Sequence, residues 1–183
     1  MAYRPAIVLF AIALLTPTAI APPVVDCPCD HSQPESLRAR VCSLCGTAEK
    51  QSAEVYFLKD INPNKPNRYL ALPKAHEGGM QSVGTISEPL RTQLWREAIA
   101  KAQELYGERW GLAHNSHLFR TQCHAHLHMG PMSPEVEDVL GTLYDDPKDF
   151  PAPPADQGLW VHPKDGRYCV HLDRDLTEIV LIR

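Results

Sequence analysis

The chain has no internal repeat, no excess of positive charge and, beyond its first residues, no apolar run long enough to cross a bilayer. Without a repeat, solenoid and propeller architectures fall away. A formal net charge of −4 at pH 7 removes the case for nonspecific nucleic-acid binding. The one long apolar run, Ala6 to Leu15, is too short to span a membrane comfortably. With Arg4 ahead of it and Ala19-Ile-Ala21 behind it, the run has the layout of a secretory signal peptide over residues 1–21. No lipid-attachment signal is clear before Cys27. The expected location is periplasmic or secreted, and residues 22–183 have the length of one domain with a single core.

What is present is concentrated in a short stretch. Arg120-Thr-Gln-Cys-His-Ala-His-Leu-His-Met-Gly130 sets three histidines at every second position. An extended chain points successive side chains to opposite faces, so Arg120, Gln122, His124, His126 and His128 would share one face, and Cys123, Ala125, Leu127 and Met129 the other. Same-face neighbours lie roughly 6.6–6.8 Å apart along a strand, close enough for adjacent imidazoles to share a ligand or orient each other. A helix would scatter them, so the spacing predicts a strand. The plainer alternative is an antiparallel edge whose polar face meets water.

Around this stretch the pattern is α+β. Glu54 to Asp60 and Asn67 to Pro73 read as strands joined by the turn-rich Asn62 to Pro66. Ser87 as N-cap, with Leu90, Leu94, Ala98, Ala102 and Leu105 at helical steps and Gly107 as terminator, predicts a long helix, widened on its apolar side by Trp95 and Ile99. Its apolar face suits packing on a sheet. Asp145 to Asp156 reads as a proline- and aspartate-rich linker without regular structure, and residues 157–183 as a small C-terminal β appendage covering a sheet edge.

Six cysteines in an exported chain suggest disulfides, and Cys42-Ser-Leu-Cys45 has zinc-knuckle spacing. Both readings stand. Under the first, Cys123 and Cys169 are candidates to pair, and Cys27 and Cys29 have no evident partner. Under the second, His76 and His124 would complete a Cys2His2 tetrahedron with Cys42 and Cys45.

His124-Ala-His126-Leu-His128-Met-Gly130 resembles the motif of the histidine-triad (HIT) superfamily of nucleotide hydrolases and transferases. The order upstream is similar too: a hairpin ending in Leu72-Pro-Lys-Ala-His76, a long helix, then Asn115. Phe57 to Asp60, Tyr69 to Pro73, Asn115-Ser116 and Arg120-Thr-Gln122 further resemble the CDP-diacylglycerol pyrophosphatases of bacterial envelopes, over about residues 42–130. Two features depart from that pattern. Met129-Gly130 stand where two hydrophobic residues are usual, and His124 is retained where the pyrophosphatase branch replaces the first histidine.

The resemblance implies a HIT-like antiparallel sheet with the long helix packed on it, over residues 22–144. It implies that His126 attacks the α-phosphorus of a nucleotide ester or anhydride, with no catalytic metal required. His128 would then assist at phosphate or leaving group, and Cys42, Cys45, His76 and His124 would hold a structural zinc. A neutral imidazole suits the nucleophile's task, one nitrogen attacking while the other donates to a fixed acceptor. Gln122 and Arg120 on the same expected face would meet phosphoryl charge, with Asn115 and Ser116 as further phosphate contacts. Arg120 could instead pair with a surface carboxylate, and Asn115 and Ser116 could be turn residues. The expected partner is a nucleotide or nucleotide-lipid, near a membrane surface, in a chain that could pair as a homodimer. Two other classes compete. A metal-dependent hydrolase would use all three histidines as ligands, although no acidic residue directly follows the triad. A binding module for metal or nucleotide would have no turnover.

Overall fold

The computed structural model describes residues 22–75 and 81–183; residues 1–21 and His76 lie outside them. Strands β1 (Val55–Lys59), β2 (Tyr69–Pro73), β3 (Trp110–His114), β4 (Leu127–Pro131), β5 (Thr142–Tyr144), β6 (Gly158–Lys164) and β7 (Arg167–Asp173) make one antiparallel sheet. Its order is β1-β2-β4-β3-β6-β7-β5. Among the described residues two α-helices accompany it, α1 (Ser43–Ala48) and α2 (Glu88–Tyr106). The architecture is α+β, as the sequence pattern implies.

Helix α2 lies across one face of the sheet. Ser87 takes the N-cap position without a side-chain capping bond, and Gly107 ends the helix at φ 62°, a conformation glycine adopts at little cost. Leu94, Trp95, Ala98, Ile99 and Ala102 are buried against Ala71, Leu112, Leu127, Met129, Leu159 and Val161. Burying a side chain of the size of Leu or Ile there contributes about 1.5–3 kcal/mol. Leu127 and Met129 therefore face the helix, and His128 between them must face the other side. On that other side Ala113 and Trp160 pack under Val180 and Leu181. Residues after Thr177 thus form a strap, tied by Ile182 N–H to the Pro131 carbonyl and by Ser133 N–H to the Val180 carbonyl, both at 2.8 Å.

Three sequence expectations need correction. The histidine strand, expected over 120–130, starts only at Leu127, because Pro73 on the neighbouring strand has no N–H to extend the ladder beyond the Ala71–Leu127 pair. Residues 145–156 are not a structureless linker: Pro147–Asp149 form a 3-10 turn, and Phe150 is buried with edge contacts to Trp95, Tyr144 and Tyr168. Residues 157–183 are no appendage, since β6 pairs directly with β3 and continues the sheet.

The cysteines also depart from expectation. Cys27 pairs with Cys123 and Cys29 with Cys42. Cys169 does not pair with Cys123, and neither Cys45 nor Cys169 belongs to a disulfide. Cys42, Cys45, His76 and His124 do not stand together as a zinc set, because the Cys42 sulfur is committed to Cys29. Among the described residues two other groups bring possible ligand atoms together. They are Cys29, Cys42 and Cys123, whose sulfurs are in the disulfides, and His162, Cys169 and His171.

Candidate functional site

A cavity of about 530 Å³ opens beside the start of β4. Arg120, Gln122, His126, His128, Asn115 and Glu178 are among its lining residues. Strand parity places only His128. The irregular segment 120–126 is held by other means: Val24 N–H donates to the Arg120 carbonyl, Cys123 N–H to Val41, Gln81 N–H to Cys123, and the Cys27–Cys123 disulfide fixes its middle. His124, buried and bonded to Pro73, does not line the cavity. Ser116 is buried outside the lining, its Oγ without a hydrogen-bond partner among the described residues, so it is not a cavity contact.

The protonation pattern follows from acceptors that cannot donate. His126 Nδ1 lies 2.8 Å from the His124 carbonyl and must carry the proton, which leaves the Nε2 lone pair unprotonated. Burial, then the Arg120 charge, keeps the imidazole below its ordinary pKa, against the pull of the His124 bond. His114 braces the same backbone from behind. Its Nδ1 donates to the His126 carbonyl at 3.1 Å, and its Nε2 accepts from Val83 N–H at 3.4 Å. Burial and the Arg120 charge hold His114 well below the usual histidine range, so it is neutral.

His128 is oriented by a chain that begins in the strap. Glu178 N–H donates to Asn115 Oδ1 at 3.1 Å while the Thr177 hydroxyl donates to the His114 carbonyl at 2.8 Å, so the Asn115 amide nitrogen faces His128 Nε2 at 3.3 Å and donates to it. The proton of His128 then sits on Nδ1, 3.5 Å from Glu178 Oε2. Burial drives the His128 pKa down to about 3, although Glu178 pulls the other way. Burial alone would raise the Glu178 carboxyl, but His128, Lys65 and Arg68 outweigh it and bring it to about 2. Lys65 and Arg68 reach that carboxylate at 2.6 and 2.8 Å. The rings of His126 and His128 meet edge to face with centroids 4.9 Å apart.

Arg120 supplies the site's positive field. It is 2% exposed, and its Nε and Nη1 have no hydrogen-bond partner among the described residues. Burial lowers its pKa to about 10, which leaves it charged at neutral pH. A buried cation facing a cavity without its own carboxylate is suited to an incoming anion. The surface-salt-bridge alternative for Arg120 therefore does not apply. Gln122 is held by Ser43, whose hydroxyl donates to its Oε1 at 3.1 Å. The lining also has apolar side chains, Leu44, Leu58, Ile61, Leu70 and Phe119, interspersed with the charged Arg40, Lys59, Asp60 and Lys65, and Ile61 is 98% exposed.

No protein-family model matches this chain, and no curated protein matches it. Among solved structures it is similar to a DUF4931 family protein from Bacillus cereus ATCC 10987, at 12% sequence identity and a TM-score of 0.50, covering 69% of this chain and 84% of that one. The likeness is one of fold. It assigns no activity.

Sequence reasoning located His126, His128, Arg120, Gln122 and Asn115 and missed Glu178, Lys65, Arg68 and His114. Glu178 reaches the site only because the C-terminal strap folds back over the sheet, a contact 50 residues from His128 that no local pattern marks. Arg68 fixes that strap by donating to the Glu178, Leu181 and Ile182 carbonyls. His114 stands alone at the end of β3 and carries no spacing signal.

Proposed function

We propose that this protein is an exported hydrolase of the histidine-triad type that cleaves a nucleotide phosphoanhydride or phosphoester through a nucleotidyl-histidine intermediate. The observation that carries the reading is the fixed tautomer of His126, whose unprotonated Nε2 shares a cavity with the unpaired Arg120 guanidinium. In the first step Nε2 forms a bond to the α-phosphorus as the bond to the leaving oxygen breaks and that oxygen takes the electron pair. The Nδ1–H bond to the His124 carbonyl disperses the positive charge that develops on the ring. Arg120 and Gln122 meet charge on the phosphoryl oxygens. His128, neutral and edge-on to His126, lines the cavity beside the reacting centre, and the departing phosphate oxygen leaves as an anion that needs no proton. Water then attacks phosphorus, its surplus proton passes to solvent, the P–N bond breaks with its electron pair returning to Nε2, and the nucleoside monophosphate leaves. This chemistry assigns no step to a metal ion.

The three-histidine metal-dependent alternative gains no support from the geometry. Among the described residues the three triad imidazoles are not among the groups whose ligand atoms converge within reach of one ion. For the substrate, the apolar side chains Leu44, Leu58, Ile61, Leu70 and Phe119 lining the same cavity as Arg120 and His126 favour a nucleotide joined to an apolar group, and CDP-diacylglycerol, giving CMP and phosphatidate, is the most specific candidate. A periplasmic or secreted location close to a membrane surface accords with it, and among the described residues no helix is long and apolar enough to cross a membrane.

The test is a hydrolysis screen over CDP-diacylglycerol, dinucleoside polyphosphates and nucleoside phosphoramidates, combined with an acid-free quench. A nucleotide recovered covalently on His126 is expected. Turnover with no such adduct on a trapped enzyme, or no turnover of any of the three classes, would overturn the proposal.

A further inference from the structure

The β6–β7 hairpin carries a group of side chains that the proposed chemistry does not use. Cys169 lies directly across from His162, and His171 across from Trp160, so all four share the sheet face opposite α2. Cys169 and His162 are each 1% exposed and His171 is 8% exposed. The two Nε2 atoms face each other at 3.2 Å, and Cys169 Sγ is 3.3 Å from His171 Nε2. All three ligand atoms lie within 4.8 Å of one another.

Hydrogen bonding alone leaves this arrangement undersatisfied. His162 Nδ1 lies 3.1 Å from the Pro163 carbonyl and so carries that ring's proton, which leaves a bare lone pair on Nε2 aimed at His171. His171 in turn has a backbone hydrogen bond to Leu140, which places its proton on Nδ1 and leaves a second bare lone pair on Nε2, so the two lone pairs face each other with only the Cys169 thiol proton between them. One cation placed among the three atoms satisfies all of them. Two imidazoles on one tetrahedral zinc ion sit roughly 3.3 Å apart, and a thiolate and an imidazole roughly 3.5 Å apart, from ordinary Zn–N and Zn–S bond lengths.

The surroundings fit a prearranged site. Trp160 stacks on the His171 ring with centroids 3.5 Å apart and an interplanar angle of 3°, and also stacks on His162, so both ring planes are fixed. The backbone at Leu140 and Gly141 closes over the group. A Cβ on Gly141 would stand 2.8 Å from both Cys169 Sγ and His171 Nε2, so only glycine lets the chain pass there.

We propose that His162, Cys169 and His171 form a binding site for one zinc-class divalent cation, separate from the cavity that holds His126. Two imidazoles and one thiolate converging in this way select a borderline-soft ion over magnesium or calcium. Binding requires the Cys169 thiol to lose its proton to solvent as the metal–sulfur bond forms. The bound ion cross-links neighbouring strands under the segment that enters β5, and so braces the half of the sheet on which the strap rests.

Cobalt(II) is the probe of choice, because a thiolate ligand gives it a charge-transfer band while aqueous cobalt has none. The protein is used with both disulfides intact, so that Cys45 and Cys169 are the cysteines outside them. One equivalent of cobalt is expected to bind with a thiolate band, to change the emission of Trp160, and to be displaced by zinc. The melting temperature should rise by roughly 5 °C or more at saturating zinc. Cys169→Ser should lose the band. His162→Gln, which leaves both thiols in place, should weaken binding at least tenfold, and Cys45→Ser should leave band and affinity unchanged. No cobalt uptake by the wild-type protein, or a band that survives Cys169→Ser or vanishes in Cys45→Ser, would overturn the site. Hydrolysis does not enter these readouts, so failure here is distinguishable from failure of the histidine-triad proposal.

Discussion

His126 donates its Nδ1 proton to the carbonyl oxygen of His124 at 2.8 Å, and this one bond decides which ring nitrogen faces the cavity. The acceptor is backbone, part of a segment tethered by Cys123 and braced by His114 against the His126 carbonyl. Replacing His126 by Asn keeps a donor toward that carbonyl and removes the nucleophile. Turnover of whichever nucleotide conjugate is the substrate should fall by at least about 10³-fold, with the melting temperature little changed. Steady-state rates and a thermal melt on the same sample check both halves.

Arg120 should show opposite signs in stability and activity. A buried guanidinium whose Nε and Nη1 lack partners is a cost to the folded state, and a side chain of similar length without charge relieves it. Arg120→Met is expected to raise the unfolding free energy by about 1 kcal/mol while lowering kcat/KM by about 10²–10³-fold. Urea unfolding and kinetics measure the two. A variant that is both less stable and fully active would contradict the role assigned to the cation.

The parts of this design visible in the sequence are those governed by local period. The four-residue steps from Leu90 to Leu105 locate α2, and the alternation at Leu127, His128 and Met129 places one histidine away from the helix. His126 and Gln122 were legible as residue types, although the strand geometry that singled them out begins only at Leu127. They reach the cavity through a loop pinned by Cys27, almost a hundred residues earlier, and pairing over that distance leaves no spacing signature. Phe150 escaped notice because its proline-rich neighbours mark a loop, whereas its burial among Trp95, Tyr144 and Tyr168 depends on tertiary contacts. Strap and sheet likewise meet through Arg68 and Glu178, a pair with no local pattern.

Acid should unfold this protein earlier than its carboxylates alone would. His114, His126 and His128 are buried and their folded-state pKa values lie below the usual 6.5, that of His128 near 3. As pH falls below 6.5 the unfolded chain takes up protons that the folded one refuses. The stability these residues contribute is therefore complete above pH 6.5 and declines toward their folded values. Each adds a slope of up to about 1.4 kcal/mol per pH unit in that window. Glu178, lowered from 4.5 to about 2, acts in the same direction but only below pH 4.5. Urea midpoints should stay nearly level from pH 7.5 to about 6.5 and fall steadily from there to pH 5, and His128→Asn should flatten that fall.

The Cys27–Cys123 bridge joins residues separated by 96 positions and anchors the loop that carries Arg120 and Gln122. Closing a loop of that length stabilises the fold by about 4–5 kcal/mol at most in the chain-entropy account. The Cys27→Ser, Cys123→Ser double variant should lose a large part of that in urea unfolding. Its KM should rise more than its kcat falls, since the loop positions phosphate contacts while His126 is still set by the backbone ahead of β4. An unchanged KM in a properly folded double variant would mean that backbone bonds alone hold the loop.

The apolar side chains of the lining separate the candidate substrates. Ile61 is 98% exposed and Phe119 37%, and both border the cavity whose floor is Arg120, His126 and His128. An acyl chain leaving the diphosphate would run over these side chains, and each buried apolar contact of that size contributes about 1.5–3 kcal/mol. Ile61→Asp with Phe119→Ser should raise KM for CDP-diacylglycerol, presented in mixed micelles, by roughly tenfold or more. A soluble dinucleoside polyphosphate makes no such contact, and its KM should stay within about twofold because the phosphate groups and His126 are untouched. Equal losses on both substrates would point to a disturbed nucleotide pocket. No loss on the lipid would remove these apolar side chains as an argument for it and favour a soluble nucleotide conjugate.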